Sequence, residues 1–417
     1  MILDEVVDIN AFCEMRFQAV NIVITVLEGI AELFGTELAN NTPYNLVSTN
    51  GAISTFHGCQ LKLQGEFTEK YMGSESYINL SYLNFAFSLH MKKKANVLVL
   101  GSRYSGKTSL VKRLANYTTK RGLTPFIVDL DITSGLISLP ATVSCMPLDL
   151  QIDPTCGSCL SFNVTSLNAE TLPLVYYFGY THLKQHEDLY YKLMLKVKEN
   201  MNKYSDKHSV PYSFIDMMPD PSVEMIKKVV EIFQVDNIVI ISDELVFSRI
   251  KNQVDCQVSL LKKSEGVFTP VSNDSANKLG QQKIKEYFYG NKKELSPFST
   301  NCKTDDIVVI KRGQLFSGAA HTMPLQSNAE QNLTFIKAME ASYLERGLIA
   351  LSSSDNPEDA ITEHVLGFGF VNTVDEAKAT DDGVVPPARL QILLPEPMKL
   401  KESQKVFITG DMKWIES

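Results

Sequence analysis

The feature that most constrains this chain is a glycine-rich loop between a predicted strand and a predicted helix. The apolar run Val97–Leu100 predicts a short buried strand. It continues into Gly101–Thr108, whose letters GSRYSGKT fit the pattern G-x-x-x-x-G-K-[ST] at every fixed position. In such a loop the glycines let the backbone curl, so that successive N–H groups point at phosphate oxygens. The pattern therefore predicts a nucleotide site.

Side chains of the same loop supply the remaining chemistry. Lys107 is expected to reach the β- and γ-phosphates, and the Thr108 hydroxyl is expected to bind Mg²⁺. The helix that begins near Lys107 adds the positive end of its dipole to the anion site. A chance match is disfavoured, because a buried strand precedes the loop and a helix-compatible segment follows it. The predicted nucleotide-binding residues of the loop are Gly101, Arg103, Tyr104, Ser105, Gly106, Lys107, Thr108 and Ser109.

Composition restricts the class of protein. The chain has 417 residues, 44% of them hydrophobic and 21% charged, which is typical of a soluble globular protein with roughly two to four domains. No apolar run approaches the ~18 residues that a membrane-spanning helix requires, and the N-terminus lacks the features of a signal peptide. We therefore expect no membrane partner. Because the net charge is −8, a nucleic-acid partner would require a local basic surface.

The cysteines favour a reducing compartment. Seven cysteines are an odd and low number for this length, which indicates free thiols. The single C-x-x-C pattern joins Cys156 and Cys159. Structural zinc sites are almost always four-coordinate, and no second pair lies nearby, so a coincidental spacing is the preferred interpretation.

Strand and helix patterns divide the chain into three predicted domains. Residues 1–94 are β-rich, which indicates a small sandwich or barrel; within them Asn21–Leu38 predicts a hairpin or corner, and Tyr77–Lys94 predicts a helix. Residues 95–294 alternate strands and helices, which implies a parallel sheet. Residues 295–417 are again β-rich. The predicted fold is α/β: a central P-loop NTPase-type parallel sheet flanked by two smaller β-rich domains.

Individual elements follow from the same patterns. The stretch between Asp131 and Tyr212 shows no clear βα repetition, and such an insertion usually builds the substrate side of a site. The polar segment Asp375–Val384 is interpreted as a mobile loop. The central elements are predicted at Lys107–Arg121, Pro125–Asp131, Tyr212–Asp216, Val223–Phe233, Asn237–Ser242 and Gly266–Val271, and C-terminal strands at Asp306–Arg312, His364–Val374 and Ala388–Pro397.

Several blocks together resemble the polynucleotide 5′-hydroxyl kinase family, specifically its Clp branch. They are AELFGTEL, FHGC, LPLVYYFGYT, KIKEYFYG, LGFGFV and RLQILLPEP, and the resemblance covers nearly the whole chain from about Glu14. Members of this branch are ATP-binding subunits of the pre-mRNA cleavage and polyadenylation machinery, and in some lineages they also phosphorylate RNA 5′-hydroxyls and serve tRNA splicing. The resemblance implies ATP and Mg²⁺ as cofactors, other subunits of that complex as partners, RNA as a further candidate partner, and a nuclear location.

The resemblance also assigns four residues outside the loop. Glu14 matches a glutamate with which relatives contact the nucleotide base, and Asn50 falls where some relatives use a lysine for that purpose. Asp131 matches the aspartate proposed to activate the attacking 5′-hydroxyl. An aspartate at such a strand end can equally hold Mg²⁺ or its waters, and both interpretations stay open. Asp216 stands at the usual place of a magnesium-associated carboxylate.

Two places depart from the pattern of active kinases. Those kinases follow the strand equivalent to Tyr212–Asp216 with a Gly-Trp that clasps the accepting base, whereas this chain has Met217–Pro221 and its only tryptophan is Trp414. They also carry an R-x-x-x-R lid, whose arginine positions correspond here to Ala276 and Gly280. The chain thus retains the predicted ATP-binding residues and lacks the base clasp and the lid arginines with which active kinases transfer the γ-phosphate.

Three hypotheses for function follow. Lid arginines of this kind are worth roughly 10³–10⁵ in rate, and Lys278 and Lys283 lack the planar fork of arginine. An ATP-bound scaffold subunit of the 3′-end cleavage complex is therefore preferred over an active RNA 5′-hydroxyl kinase with a remodelled lid. A GTPase-like switch is disfavoured, because no N-K-x-D motif follows Asn237–Ser242.

Two aromatic blocks are candidates for RNA or cofactor contacts. The triplet Tyr176–Phe178 is interpreted as core rather than as an RNA-stacking surface, and EYFYG as a helix-packing block. Thr181 and His182, which follow the triplet, face either RNA or solvent.

Overall fold

The protein folds around three β-sheets. A computed structural model describes residues 2–73, 77–155, 159–160, 172–183, 186–264, 273–313, 333–336, 338–375, 387–397 and 405–415. The chain forms two compact units, described here one at a time. The first contains Met1–Asp131, Cys145–Pro173 and Met201–Ala276, and the second contains Ile132–Ser144, Leu174–Asn200 and Asn277–Ser417.

The strands and helices of the described part are numbered along the chain. The strands are β1 Ile2–Ile9, β2 Glu14–Gly29, β3 Glu32–Leu33, β4 Thr36–Glu37, β5 Pro43–Val47, β6 Asn50–Ser54, β7 Cys59–Gly73, β8 Ala95–Gly101, β9 Pro125–Leu130, β10 Thr142–Pro147, β11 Leu174–Tyr177, β12 Tyr212–Met217, β13 Asn237–Ile241, β14 Gln257–Leu261, β15 Phe298–Lys303, β16 Ile307–Arg312, β17 Leu333–Phe335, β18 Gly347–Ser352, β19 Val365–Asp375, β20 Arg389–Leu394 and β21 Lys405–Lys413. The helices are α1 Tyr77–His90, α2 Lys107–Thr119, α3 Glu187–Ser205, α4 Val223–Phe233, α5 Glu244–Ile250, α6 Asn273–Tyr289 and α7 Pro357–Ala360, with a 3-10 helix at Ala338–Leu344.

The first unit begins with an antiparallel sheet in the order β1-β7-β2-β6-β3-β4, with β5 also paired to β2. Its core is apolar and includes Phe17, Ile24, Leu61 and Leu63, none of them measurably exposed. The turn predicted within Asn21–Leu38 is found where β2 ends at Gly29, whose φ is +86°. A Cβ at Gly29 would lie 2.2 Å from the Gly58 carbonyl oxygen, so only glycine fits there.

The first unit also contains five strands of a parallel sheet, in the order β9-β12-β8-β13-β14. Strands β9, β12 and β13 are buried along their whole length, as parallel sheets covered on both faces require. Because the strands are parallel, their carboxyl ends meet at one edge. That edge places the ends of β8, β9 and β12 side by side, and these are the strands that carry the predicted site.

Most predicted elements of this region match the structure, with some differences. The helix predicted to reach Lys94 ends at His90. The strand predicted at Gly266–Val271 lies outside the described residues, and β14, an edge strand with partly exposed side chains, was not predicted. The stretch between Asp131 and Tyr212 does contain regular elements, namely β10, β11 and α3. The expectation of no βα repetition there was wrong, because short buried strands leave a weak periodic signal.

The second unit contains a mostly antiparallel sheet in the order β15-β20-β19-β18-β21-β16-β17, in which β16 and β21 are parallel.

The interpretation of Tyr176–Phe178 as core is confirmed, since all three side chains are at most 2% exposed. The packing role of EYFYG is likewise confirmed: Phe288 is buried and stacks on Trp414 with ring centroids 5.8 Å apart. Of the predicted loop Asp375–Val384, only Asp375 is described, and it ends β19.

Candidate functional site

The phosphate loop lies between β8 and α2 and has a strongly curved backbone. Gly101 and Gly106 have φ of +156° and +96°, and Tyr104 between them has φ of +60°. A Cβ at Gly101 would lie 2.6 Å from Ser105 Oγ, so the first glycine of the pattern is sterically required. Residues with positive φ turn successive N–H groups toward one side, which is the geometry of an anion-binding nest.

Lys107 and Ser105 are the buried polar side chains of the loop. Lys107 is 5% exposed, and its ammonium donates to the Ser102 carbonyl oxygen at 3.1 Å, so the cation is held against the loop. Ser105 Oγ is buried without a hydrogen-bond partner in the part of the chain that the structure describes. A buried hydroxyl of this kind is ready to donate to a phosphate oxygen. Both groups lie where the sequence predicts phosphate contacts.

The other predicted loop residues lie closer to solvent. Tyr104 is 36% exposed, and the Arg103 guanidinium lies over its ring at 5.5 Å from the centroid. Gly106 and Ser109 line a cavity of about 160 Å³ beside the loop. Asn50, predicted to contact the base, lines the same cavity and is exposed.

Thr108 and Asp216 join the loop to the edge of the parallel sheet. The Thr108 hydroxyl donates to Asp216 Oδ2 at 2.5 Å. Asp131 directly follows β9 and is 4% exposed, and its backbone N–H donates to Asp129 Oδ1 at 3.0 Å. Burial, together with the nearby carboxylates of Asp131 and Asp129, raises the pKa of Asp216 from its ordinary 3.8 to about 8. The edge thus places three aspartates beside the predicted phosphate site, one of which holds its proton near neutral pH.

The oxygen atoms at this edge fit a magnesium ion. Asp216 Oδ1 is buried and has no hydrogen-bond partner among the residues described. Mg²⁺ typically takes one or two protein oxygens and completes its shell with phosphate and water. No cluster of three or more His, Cys, Asp or Glu suited to a metal is found within the described ranges. Of the C-x-x-C pattern, Cys159 is buried and Cys156 lies outside the described residues.

Glu14 lies at the start of β2 within a buried polar network that also lines the cavity. Its Oε1 accepts from Arg16 Nε at 2.6 Å and from the Ser264 hydroxyl at 3.2 Å, and its Oε2 accepts from Asn79 Nδ2 at 2.6 Å. Asn79 Oδ1 in turn accepts from Arg113 Nη1 at 2.5 Å. The carboxylate is 98% buried and held by donors from β2, α1 and the segment after β14.

Sequence reasoning missed four members of this network: Arg16, Asn79, Arg113 and Ser264. Except for the Arg16–Glu14 pair, their contacts join positions between 34 and 250 residues apart. No local pattern marks such contacts. The available signal was the pair of opposite charges at Glu14 and Arg16, which lie two positions apart and so share one face of a strand.

Together, the parallel sheet, the loop between β8 and α2, and the carboxylates at the sheet edge define a P-loop protein. Three family models match the chain: "mRNA cleavage and polyadenylation factor CLP1 P-loop" at residues 101–290, "N-terminal beta-sandwich domain of polyadenylation factor" at 8–96, and "Pre-mRNA cleavage complex II protein Clp1" at 295–416. The chain therefore belongs to the Clp1 family of mRNA cleavage and polyadenylation factors. The family resemblance and the predicted fold class are both confirmed.

Curated relatives and solved structures agree with this assignment. A CLP1 homolog of Anopheles gambiae is 28% identical over 428 residues, covering 97% of this chain and 96% of the relative. The mRNA cleavage and polyadenylation factor CLP1 of Phaeosphaeria nodorum is 27% identical, with 94% and 89% covered. The polyribonucleotide 5′-hydroxyl-kinase Clp1 of Bos taurus is 27% identical, with 87% and 88% covered. The solved wild-type Clp1p–Pcf11p complex superposes with a TM-score of 0.79 at 20% identity, covering 100% of this chain and 99% of the other, which shows the same fold.

Proposed function

We propose that this protein is an ATP-binding scaffold subunit of an mRNA 3′-end cleavage and polyadenylation complex, without kinase turnover. The observation that carries the proposal is a contrast within the chain. Its phosphate loop and magnesium-associated carboxylate have the geometry of an intact nucleotide site, whereas the residues that would hold the accepting nucleotide and stabilise the charge of the transferring phosphoryl group are missing.

The nucleotide side is supported by the loop and the cavity beside it. Gly101–Thr108 supplies curved backbone, a buried lysine and a hydroxyl within hydrogen-bond distance of Asp216. The cavity is lined by the loop residues Ser105 and Gly106 and by Glu14, so a nucleotide with its phosphates on the loop has room for its base near that carboxylate. Mg²⁺, when bound, would neutralise charge between Thr108, Asp216 and the phosphates, with Asp131 beside them.

The part of the site that would receive the phosphoryl group differs from that of active kinases of the family in two ways. Met217 and Met218, where active relatives clasp the accepting base, are buried, and Trp414 is 2% exposed in the core of the second unit. Ala276 and Gly280 occupy the lid positions along α6 and carry no charge. Lys283, a potential substitute, donates instead to the carbonyl oxygens of Ser134 and Gly135 at 2.6 and 2.5 Å. Interactions that strengthen in a phosphoryl-transfer transition state are therefore scarce.

The alternative is an active polynucleotide 5′-hydroxyl kinase. Two observations favour it: Asp131 directly follows β9 at the sheet edge, the position of the candidate general base, and the Bos taurus relative is named a polyribonucleotide 5′-hydroxyl-kinase. In that case Asp131 and Lys107 would be the catalytic residues. Lys278, which is exposed on α6, would then have to supply the missing lid charge.

The test is transfer of the γ-phosphate of ATP to a 5′-hydroxyl oligoribonucleotide by the purified full chain, with Lys107→Ala as control. We expect ATP to bind and to remain intact. Turnover in the ordinary kinase range of roughly 1–100 s⁻¹, abolished by Lys107→Ala, would establish the enzyme and exclude the scaffold.

The same proposal includes partners, location and domain organisation. We propose that the protein binds other subunits of a nuclear cleavage complex, as the Clp1p of the solved complex binds Pcf11p. The described ranges contain no helix with the length and apolarity of a membrane span.

We propose domains at residues 1–94, 95–294 and 295–417. The family models support these bounds, because one model ends at residue 96 and the next begins at 101, and that one ends at 290 and the third begins at 295. Limited proteolysis should cleave first near residues 94 and 295.

A further inference from the structure

We infer that Asn79 and Arg113 are positioning residues that orient the Glu14 carboxylate toward the base of the bound nucleotide. The inference rests on the proposed ATP binding and deepens it by naming what sets the preference for the base. Neither residue belongs to the phosphate loop: Asn79 lies on α1 and Arg113 lies on α2, the helix that begins with Lys107.

The three side chains form a relay that is buried throughout. Arg113 Nη1 donates to Asn79 Oδ1 at 2.5 Å, and Asn79 Nδ2 donates to Glu14 Oε2 at 2.6 Å. Arg113, Asn79 and Glu14 are 8%, 5% and 2% exposed. All three line the cavity beside the loop. Water therefore competes poorly for these bonds, and each has the strength of a hydrogen bond that includes a charged group.

The chemistry of the partners decides which way the Asn79 amide points. Arginine is a donor only, so it selects the amide oxygen, and a carboxylate accepts only, so it selects the amide nitrogen. Without Arg113 the amide would be free to turn its oxygen toward Glu14, where two acceptors would repel each other. Arg113 thus acts on Glu14 through Asn79.

Arg113 is itself held in place from two sides. Its guanidinium lies over the Tyr82 ring, 5.5 Å from the centroid, and a Cβ on Gly35 would come within 3.0 Å of its Cα. The backbone of the β3–β4 turn therefore packs directly on this residue. A side chain clamped in this way keeps one orientation, which a positioning role requires.

The position of the carboxylate matters for the base because Glu14 only accepts hydrogen bonds. At position 6 adenine offers an amino donor, whereas hypoxanthine carries an acceptor oxygen there and has its donor at N1, so a carboxylate fixed opposite the 6-amino group meets a donor only in adenine. A Glu14 carboxylate held at the cavity wall would therefore favour ATP over inosine triphosphate. The phosphate end of either nucleotide binds to the loop, which the relay does not contact.

The experiment is calorimetric titration of the full chain with ATP, inosine triphosphate and inorganic tripolyphosphate, each with Mg²⁺. The variants are Asn79→Leu and Arg113→Met, singly and together, and Asn84→Leu is the matched control on the exposed face of α1. We expect ATP affinity to fall about tenfold in each single variant, to the level of inosine triphosphate, while tripolyphosphate affinity is unchanged. The double variant should lose no more than either single one, because both act through one carboxylate.

The outcomes separate the inference from the proposed function. If the unaltered protein binds neither ATP nor tripolyphosphate, the proposed function fails. If it binds both but the variants lose the two ligands in equal proportion, or lose neither, the positioning role is overturned. Arg113→Met keeps a long apolar side chain under Gly35, so it tests the relay even if Asn79→Leu does not fold.

Discussion

Thr108 donates a hydrogen bond of 2.5 Å to Asp216, and this bond ties the phosphate loop to the neighbouring strand of the parallel sheet. The bond uses one oxygen of a fully buried carboxylate and leaves the other without a partner in the described structure. The arrangement is suited to a metal ion, which would be held by the Thr108 hydroxyl oxygen and the Asp216 carboxylate and would compensate the charge of that carboxylate. It also makes Asp216 the most informative residue for tests of the site.

Replacing Asp216 by asparagine should stabilise the nucleotide-free protein at alkaline pH. Because the pKa of Asp216 is raised from 3.8 to about 8, the folded protein holds a proton that the unfolded chain has lost, so stability declines as pH rises from about 4 to about 8. Asp216→Asn removes this decline. Thermal melting without Mg²⁺ should show a higher melting temperature for the variant than for the unaltered protein at pH 8.5, and a smaller difference at pH 5. An equal difference at both values would contradict the raised pKa.

Lys107→Ala should weaken ATP binding by at least about tenfold, because a charge-assisted bond to the phosphates is lost. Lys112→Ala, on the same helix but outside the loop, is the control and should leave the affinity unchanged. Calorimetry measures both. Unchanged binding by Lys107→Ala would refute the assignment of the phosphate site.

Saturating MgATP should raise the melting temperature, because a ligand at 100 times its dissociation constant adds about 2.7 kcal/mol to the free energy of unfolding. Glu14→Gln keeps the shape of the side chain and removes the charge that accepts from the base, so the shift should shrink. The comparison is the shift within each protein rather than its absolute melting temperature, since the variant also alters the pairing with Arg16. A full shift in Glu14→Gln would exclude Glu14 as the base contact.

His90 should make the protein sensitive to acid. Burial, with a smaller contribution from Arg121, lowers the pKa of His90 from 6.5 to about 4. The unfolded chain therefore binds a proton that the folded protein resists between about pH 6.5 and pH 4, and stability is lost as pH falls through that range. His90→Gln should lose less stability than the unaltered protein between pH 7 and pH 5.

The control for this prediction is Asn84→Gln on the exposed face of α1, the helix that ends at His90, and it should leave the pH dependence of melting unchanged. Identical pH profiles for His90→Gln and the unaltered protein would show that His90 does not contribute.

Much of the fold could be predicted from local patterns. Helix α4 has the predicted bounds, and β9, β12 and β13 end within one residue of the prediction, because continuous apolar runs bounded by polar residues mark buried parallel strands. Strands β10 and β11 were not predicted, since short strands in a long insertion cannot be distinguished from other buried segments by periodicity. Strand β14 was not predicted either, because an edge strand with half-exposed side chains shows no strong alternation of apolar and polar residues.

By itself, the sequence determined the phosphate loop. The conformations of Gly101 and Gly106 and the position of Lys107 at the start of α2 follow from residues within one short segment. Local sterics and hydrogen bonding act over such distances without help from the rest of the chain.

Only the tertiary structure decided what surrounds that loop. Glu14 could be proposed for the base, but Asn79 and Arg113, which connect to it in turn, come from two different helices. They meet only because α1 packs against α2 and contacts the start of β2. The raised pKa of Asp216 likewise depends on burial and on carboxylates from β9 and the residue after it. Burial and long-range charge are properties of the packed molecule, because they depend on which side chains exclude water together.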